Sequence, residues 1–131
     1  MRRLALLLMQ IAAGAFAAPA LASSSTSNEQ FAEVRARIAE ARGLVDESVA
    51  AAEAGDRERA YDIARTAYLE HFEKVEHPLG EEDHELMEEL EEAISTDLRN
   101  DIKDGKSTDE IEAAVAAINT DLDRAVVLLQ S

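Results

Sequence analysis

Residues 78–110, PLGEEDHELMEELEEAISTDLRNDIKDGKSTDE, decide the fold class. Leu86, Leu90, Ile94, Leu98 and Ile102 recur every four residues, and Met87 and Ala93 widen the same face. A strand would alternate with a period of two, so the pattern is that of a helix with one apolar stripe. Pro78 and Gly80 precede the run and Gly105 follows it. The spacing therefore predicts a helix from about Glu81 to Asp104, closed by Gly105. Ser107-Thr108-Asp109-Glu110 then reads as a capping box: the serine accepts from the backbone three residues on, and the glutamate reaches back.

The same signals extend in both directions. After the box, Ile111, Val115, Ile118, Leu122, Ala125, Val126 and Leu129 mark a last helix. Upstream, Ser27-Asn28-Glu29-Gln30 is another capping box, and Phe31, Val34, Ile38, Ala41, Val45, Val49 and Ala52 form a stripe that ends at Gly55. Asp56 can cap the next helix, whose stripe is Ala60, Ile63, Ala64, Ala67, Tyr68, Phe72 and Val75, stopped by Pro78. No segment alternates as a strand does. Each helix is about 23 to 26 residues, or about 35–39 Å. The connections are short, which makes successive helices antiparallel neighbours. The expectation is an all-α, up-down-up-down four-helix bundle over residues 29–131.

The first residues do not belong to that bundle. Arg2 and Arg3 precede an uncharged apolar run, Leu4 to Ala18, and Ala20-Leu21-Ala22 has the small-x-small form of a cleavage site. This layout predicts a signal peptide over 1–22, followed by a flexible polar linker over 23–28. The run is shorter than the roughly 20 residues that span a bilayer, and no cysteine follows it to carry a lipid. The expected location is secreted or extracytoplasmic, with no direct membrane insertion after cleavage. Removing the leader takes two of the 13 basic residues and none of the 28 acidic ones. Such an excess excludes nucleic acid and anionic membrane surfaces, which need a positive face. Ten of the 13 bases are arginine, and only Lys74, Lys103 and Lys106 are lysine. Few lysines among many carboxylates point to a halophilic source, where salt screens the self-repulsion. With no cysteine, disulfides contribute nothing, and helix packing must supply the stability.

No nucleophile constellation, glycine-rich phosphate loop or aromatic platform is present, so neither an enzyme nor an organic cofactor is expected. One corner stands out. All three histidines, His71, His77 and His84, lie within fourteen residues among Glu70, Glu73, Glu76, Glu81, Glu82, Asp83, Glu85 and Glu88. Glu70, Glu73 and His77 fall on one helix face. Glu81 and His84 have the Glu-x-x-His spacing of di-iron bundles, although the first and last helices offer no matching pair. Carboxylates with imidazoles suit Fe, Mn, Zn, Ni or Cu(II). The expected ligands are Glu73, Glu76, His77 and His84, with Glu70, Glu81 and Asp83 as second choices. For each there is a plainer role. A glutamate run in an acidic chain is usually a solvated face, His77 suits a helix C-terminus, and Asp83 suits an N-cap.

The stretch 67–94, AYLEHFEKVEHPLGEEDHELMEELEEAI, resembles the extracytoplasmic helical domain that accompanies high-affinity iron permeases of bacteria and archaea. The residues that carry the resemblance are Ala67, Tyr68, Leu69, Glu70, Phe72, Glu73, Glu76, Leu79, Asp83, Leu86 and Glu91. The resemblance implies a role near iron uptake, holding or presenting a metal ion to a membrane permease or a secreted metalloprotein. The chain departs from the permease itself: it has no transmembrane run after residue 22 and no intramembrane Arg-Glu-x-x-Glu motif. Glu73-Lys74-Val75-Glu76 has the Glu-x-x-Glu spacing on an amphipathic helix. The alternative reading is an interaction bundle that docks on a membrane or secreted partner with no metal role. That reading requires an apolar patch outside the core.

Overall fold

A computed structural model describes residue 29 and residues 31–130. The expected signal peptide and linker, and Ser27, Asn28 and Gln30 of the first capping box, lie outside the described residues. Contacts divide the chain between Ala32 and Glu33. The unit from Glu33 onward is helical, with no strand among the described residues.

The helix α1 runs over residues 31–53. Next comes α2 (Arg57–Thr66), which widens into a π-turn (Ala67–His71) and then tightens into a 3-10 turn (Phe72–Lys74). A short helix, α3 (Glu76–Glu82), follows. Then α4 (His84–Glu92) passes through a second π-turn (Ala93–Asp97) into α5 (Leu98–Lys103). The last helix is α6 (Thr108–Leu128).

The caps are those the sequence signals. Asp56 Oδ1 accepts from the Arg59 N–H at 3.1 Å, and Ser107 Oγ accepts from the Glu110 N–H at 3.2 Å. The Glu110 carboxylate reaches back to the Ser107 hydroxyl, not to its backbone. Gly55 and Gly105 close their helices at φ +87° and +78°, where a Cβ would be strained.

Two boundaries differ from expectation. Pro78 and Gly80, expected to lie between two helices, both lie inside α3. Pro78 is the third residue of that helix, where backbone N–H groups have no intrahelical acceptor, so a missing N–H costs nothing. Proline therefore starts a new short helix here as well as ending the previous one. The helix expected from Glu81 instead begins at His84, because Asp83 is extended (φ −156°, ψ 94°) and its Oδ1 caps the Leu86 N–H at 3.0 Å.

Side-chain contacts fix the directions. Arg57 of α2 donates to the Ile102 and Lys106 carbonyls, while Tyr61 meets Arg99. Numbers rise along one helix as they fall along the other, so α2 and α5 are antiparallel. Arg35 donates to Leu129 O, Arg42 pairs with Asp123, and Asp46 accepts from Asn119, so α1 and α6 are antiparallel too. Arg37 and Glu40 of α1 meet the 70–71 region of the second segment, and α6 packs on α4 and α5.

The core is the union of the stripes. Ile38, Ala41, Val45, Ala60, Ala64, Phe72, Leu79, Leu86, Leu90, Ile94, Leu98, Ile102, Ile111, Leu122 and Leu129 are essentially inaccessible. Burying a Leu or Phe side chain stabilises by about 1.5–3 kcal/mol. Alanines let α1 and α2 contribute to that core with little bulk.

The π-turns explain how a strict four-residue repeat stays buried. A step of four overshoots an α-turn of 3.6 residues by about 40°, so Leu86 to Ile102 would drift about 160° around a straight α-helix. The π-turn, with i→i+5 bonds, holds more residues per turn and absorbs part of that drift. All five side chains are at most 1% exposed. By contrast, α6 buries Ile111, Val115, Ile118, Leu122 and Ala125 at alternating steps of four and three. It is α-helical throughout.

Candidate functional site

The first π-turn carries Tyr68, and the 3-10 turn after it carries Phe72 and Glu73. Phe72 and Val75 are fully buried and anchor the bend. Their burial holds Glu76, the first residue of α3, on the same side as Tyr68. The Tyr68 hydroxyl donates to Glu76 Oε1 at 2.6 Å, and the Tyr68 and Phe72 ring centroids are 6.4 Å apart at 33°.

Two further carboxylates, Glu73 and Glu91, act on this pair. Burial raises the Glu76 carboxyl above the usual carboxylate range, and the Glu91 and Glu73 charges add to that; the Tyr68 hydrogen bond works the other way. Burial also pushes the Tyr68 phenol well above its ordinary value, reinforced by its bond to Glu76 and by the charges of Glu76, Glu91 and Glu73. The site thus combines a protonated phenol with a carboxyl, Glu76, whose affinity for a proton is raised by burial and by the charges of Glu91 and Glu73. Glu91 is supplied by α4. It also lines a hollow of about 450 Å³ with Glu88, Glu92, Ser95 and Thr96, the last two from the second π-turn. The Ser95 and Thr96 hydroxyls are 3.2 Å apart.

The expected ligands divide into two sets. Glu73 and Glu76 lie together at the bend. His77 and His84 do not join them in this arrangement. His77 Nε2 is 3.3 Å from Glu81 Oε1, with 87% of its side chain exposed; His84 Nε2 is 3.2 Å from Glu88 Oε1, with 70% exposed. Both are i,i+4 pairs along their own helices. Glu81 and His84 lie on either side of the break at Asp83, so their Glu-x-x-His spacing is not continuous helix. Asp83 is occupied as a cap. Glu70 is exposed, and its backbone carbonyl accepts from Arg37 at 3.4 Å. His71 is outside this group, with Nδ1 2.8 Å from Glu40 Oε2.

Among the described residues, no three or more His, Cys, Asp or Glu side chains are gathered closely enough to hold a metal ion as they stand. No described helix is long and apolar enough to cross a membrane.

Sequence spacing missed the pairing of Tyr68 with Glu76 and the approach of Glu91. Residues eight apart on a straight α-helix lie about 12 Å apart along its axis, so nothing in a periodicity pairs them. Comparisons of the chain with protein-family models, with curated proteins and with solved structures find no match.

Proposed function

We propose that this protein is an exported, non-enzymatic four-helix bundle of up-down-up-down topology that binds a transition metal ion, iron above all, and presents it for uptake. The resemblance of residues 67–94 to the outer domain of iron permeases motivates the reading. One observation carries it: Tyr68 donates to Glu76 at one bend, and the charges of Glu91 and Glu73 act on Glu76, whose proton affinity is raised; a bound cation would have to draw these carboxylates together. Glu76 holds its proton more tightly than usual through burial first and the Glu91 and Glu73 charges second, and a multivalent cation would offset that second part. Hard oxygen donors suit Fe(III), Mn(II) and Ca(II) better than soft metals.

On this reading Glu73, Glu76 and Glu91 are the ligands and Tyr68 is a fourth oxygen at hand. His77 and His84 would join only by turning away from Glu81 and Glu88. The partner on this reading is a membrane permease or a secreted metalloprotein.

The test is calorimetric titration of citrate-buffered Fe(III), then Fe(II), Zn(II) and Cu(II), into the full chain at high salt. Binding tighter than about 100 μM that is lost in Glu76→Gln and kept in His77→Ala/His84→Ala supports the bend. No such binding for any of the metals would sink the proposal. Loss only in the histidine variant would move the site to α3 and α4.

The docking alternative draws less support. Among the described residues, Leu69 and Val127 are the large apolar side chains that stand exposed.

A further inference from the structure

A second cluster lies at the antiparallel crossing of α2 and α5, and it shares no residue with the bend at Tyr68. Arg57 and Tyr61 project from α2, and Arg99 and Lys103 from α5. Both pairs have i,i+4 spacing, so each lies on one helix face. The Arg99 guanidinium carbon sits 4.9 Å from the Tyr61 ring centroid, a cation–π contact. Its terminal nitrogens donate to Ser95 O at 3.0 Å and to the Tyr61 hydroxyl at 2.9 Å. Its Nε is buried without a partner. Arg57 donates to the Ile102 and Lys106 carbonyls.

These guanidiniums are held by neutral acceptors. Elsewhere in the chain Arg42 and Arg124 are neutralised by Asp123 and Asp121. Among the described residues, no carboxylate lies within ion-pair distance of Arg57, Arg99 or Lys103, although the chain has 28 acidic residues. The two guanidiniums are fixed by their acceptors, Lys103 is exposed beside them, and none of the three charges is cancelled by a carboxylate at ion-pair distance, which favours anion binding. Between the two helices lies a hollow of about 420 Å³ lined by Arg57, Glu58, Tyr61, Ile102 and Lys103. That volume falls in the range of small-molecule sites, and the lining joins one aromatic surface to a few charged groups.

We propose that this hollow binds a small organic monocarboxylate with a flat apolar body. The body packs on the half-buried Tyr61 ring, and the carboxylate is taken by Lys103 with a free N–H of Arg57. Glu58 sets the ligand's charge. Against Arg57 and Lys103 it leaves one net positive charge in the lining, which favours a monoanion over phosphate or a polycarboxylate. The plainer role of Arg57, capping the end of α5, remains in force with the ligand bound, because each terminal nitrogen keeps a second N–H.

The test uses 2-naphthoate, with naphthalene-2-methanol as its neutral counterpart and acetate as the charge without the body. Each is titrated into the full chain under metal-free conditions and followed by amide and side-chain NMR shifts. The expected result is saturable naphthoate shifts confined to the 57–61 and 102–103 segments, with the alcohol and acetate at least about tenfold weaker. Lys103→Gln, at an exposed position, should weaken naphthoate about tenfold and leave the alcohol unchanged, while Lys74→Gln alters neither. Equal affinity for acid and alcohol, an unchanged affinity in Lys103→Gln, or no saturation by about 10 mM would overturn the proposal. None of these readouts depends on a metal, so this site and the bend at Tyr68 stand or fall separately.

Discussion

Tyr68 and Glu76 are joined by a 2.6 Å hydrogen bond across eight residues that pass through a π-turn, a 3-10 turn and a break at Val75. The bond fastens the start of α3 to the helix before it. Removing the donor with Tyr68→Phe should cost about 1 kcal/mol, toward the low end for a charged acceptor because the pair is only partly buried. Donation by Tyr68 lowers the Glu76 pKa, so the same variant should raise it further. Urea unfolding measures the first effect, and an NMR titration of the Glu76 carboxyl measures the second. A Glu76 pKa that falls in Tyr68→Phe would contradict the arrangement.

Glu76 also sets a pH dependence. Its folded-state pKa lies above the unfolded one, so the folded state binds more protons in the interval between them. Stability is then highest below the ordinary carboxylate value and declines as pH rises through the raised value. Glu76→Gln keeps a hydrogen-bond acceptor for Tyr68 without the charge. It should flatten that part of the profile and be at least as stable as the parent at neutral pH. Urea midpoints between about pH 4.5 and 8 test this; an unchanged slope in the variant would assign the dependence to other groups.

Tyr68 extends the same sign to alkaline pH. Its phenol is raised from 10.0, so the folded protein keeps that proton after the unfolded chain has lost it, and stability falls with rising pH above about 10. An ultraviolet titration should show tyrosinate absorbance that appears only well above the usual range, or with unfolding. In Tyr68→Phe that late component should be missing.

Asp83 is a useful discriminator because its carboxylate is a candidate for two roles. Its Oδ1 caps α4 at the Leu86 N–H. If capping is its role, Asp83→Ala costs about 1 kcal/mol and Asp83→Asn almost nothing, since asparagine caps as well as aspartate. Neither change should alter metal affinity beyond the effect of stability. A tenfold loss of affinity in Asp83→Asn with unchanged stability would make it a ligand.

Much of this architecture is legible in the residues. Gly55, Gly105, Asp56 and Ser107 mark their boundaries by conformational and capping preferences that act within a few residues. Leu86 to Ile102 mark the buried face. What could not be read depends on contacts between segments. Pro78 is compatible with ending one helix or starting another, and the choice is made by Val75 and Leu79, both fully buried. The histidines illustrate the same limit. The Glu81–His84 spacing looks like a metal pair only if the helix is continuous, and the extended backbone at Asp83 turns the real neighbours into His77–Glu81 and His84–Glu88. Tyr68–Glu76 requires two changes of helix type that no single-period pattern encodes.

The second π-turn has a further consequence, which concerns insertion and deletion. If one residue were taken from 95–97, the buried positions from Leu86 onward would fall at steps of four, four, three and four, the rhythm of an unbroken α-helix. The hydrophobic interior would keep all five side chains. The wall of Glu88, Glu91, Glu92, Ser95 and Thr96 would be rebuilt. The spare residue is therefore neutral to the core and decisive for the acidic hollow. Deleting Thr96 should leave the thermal midpoint close to that of the parent and remove any cation affinity that depends on Glu91.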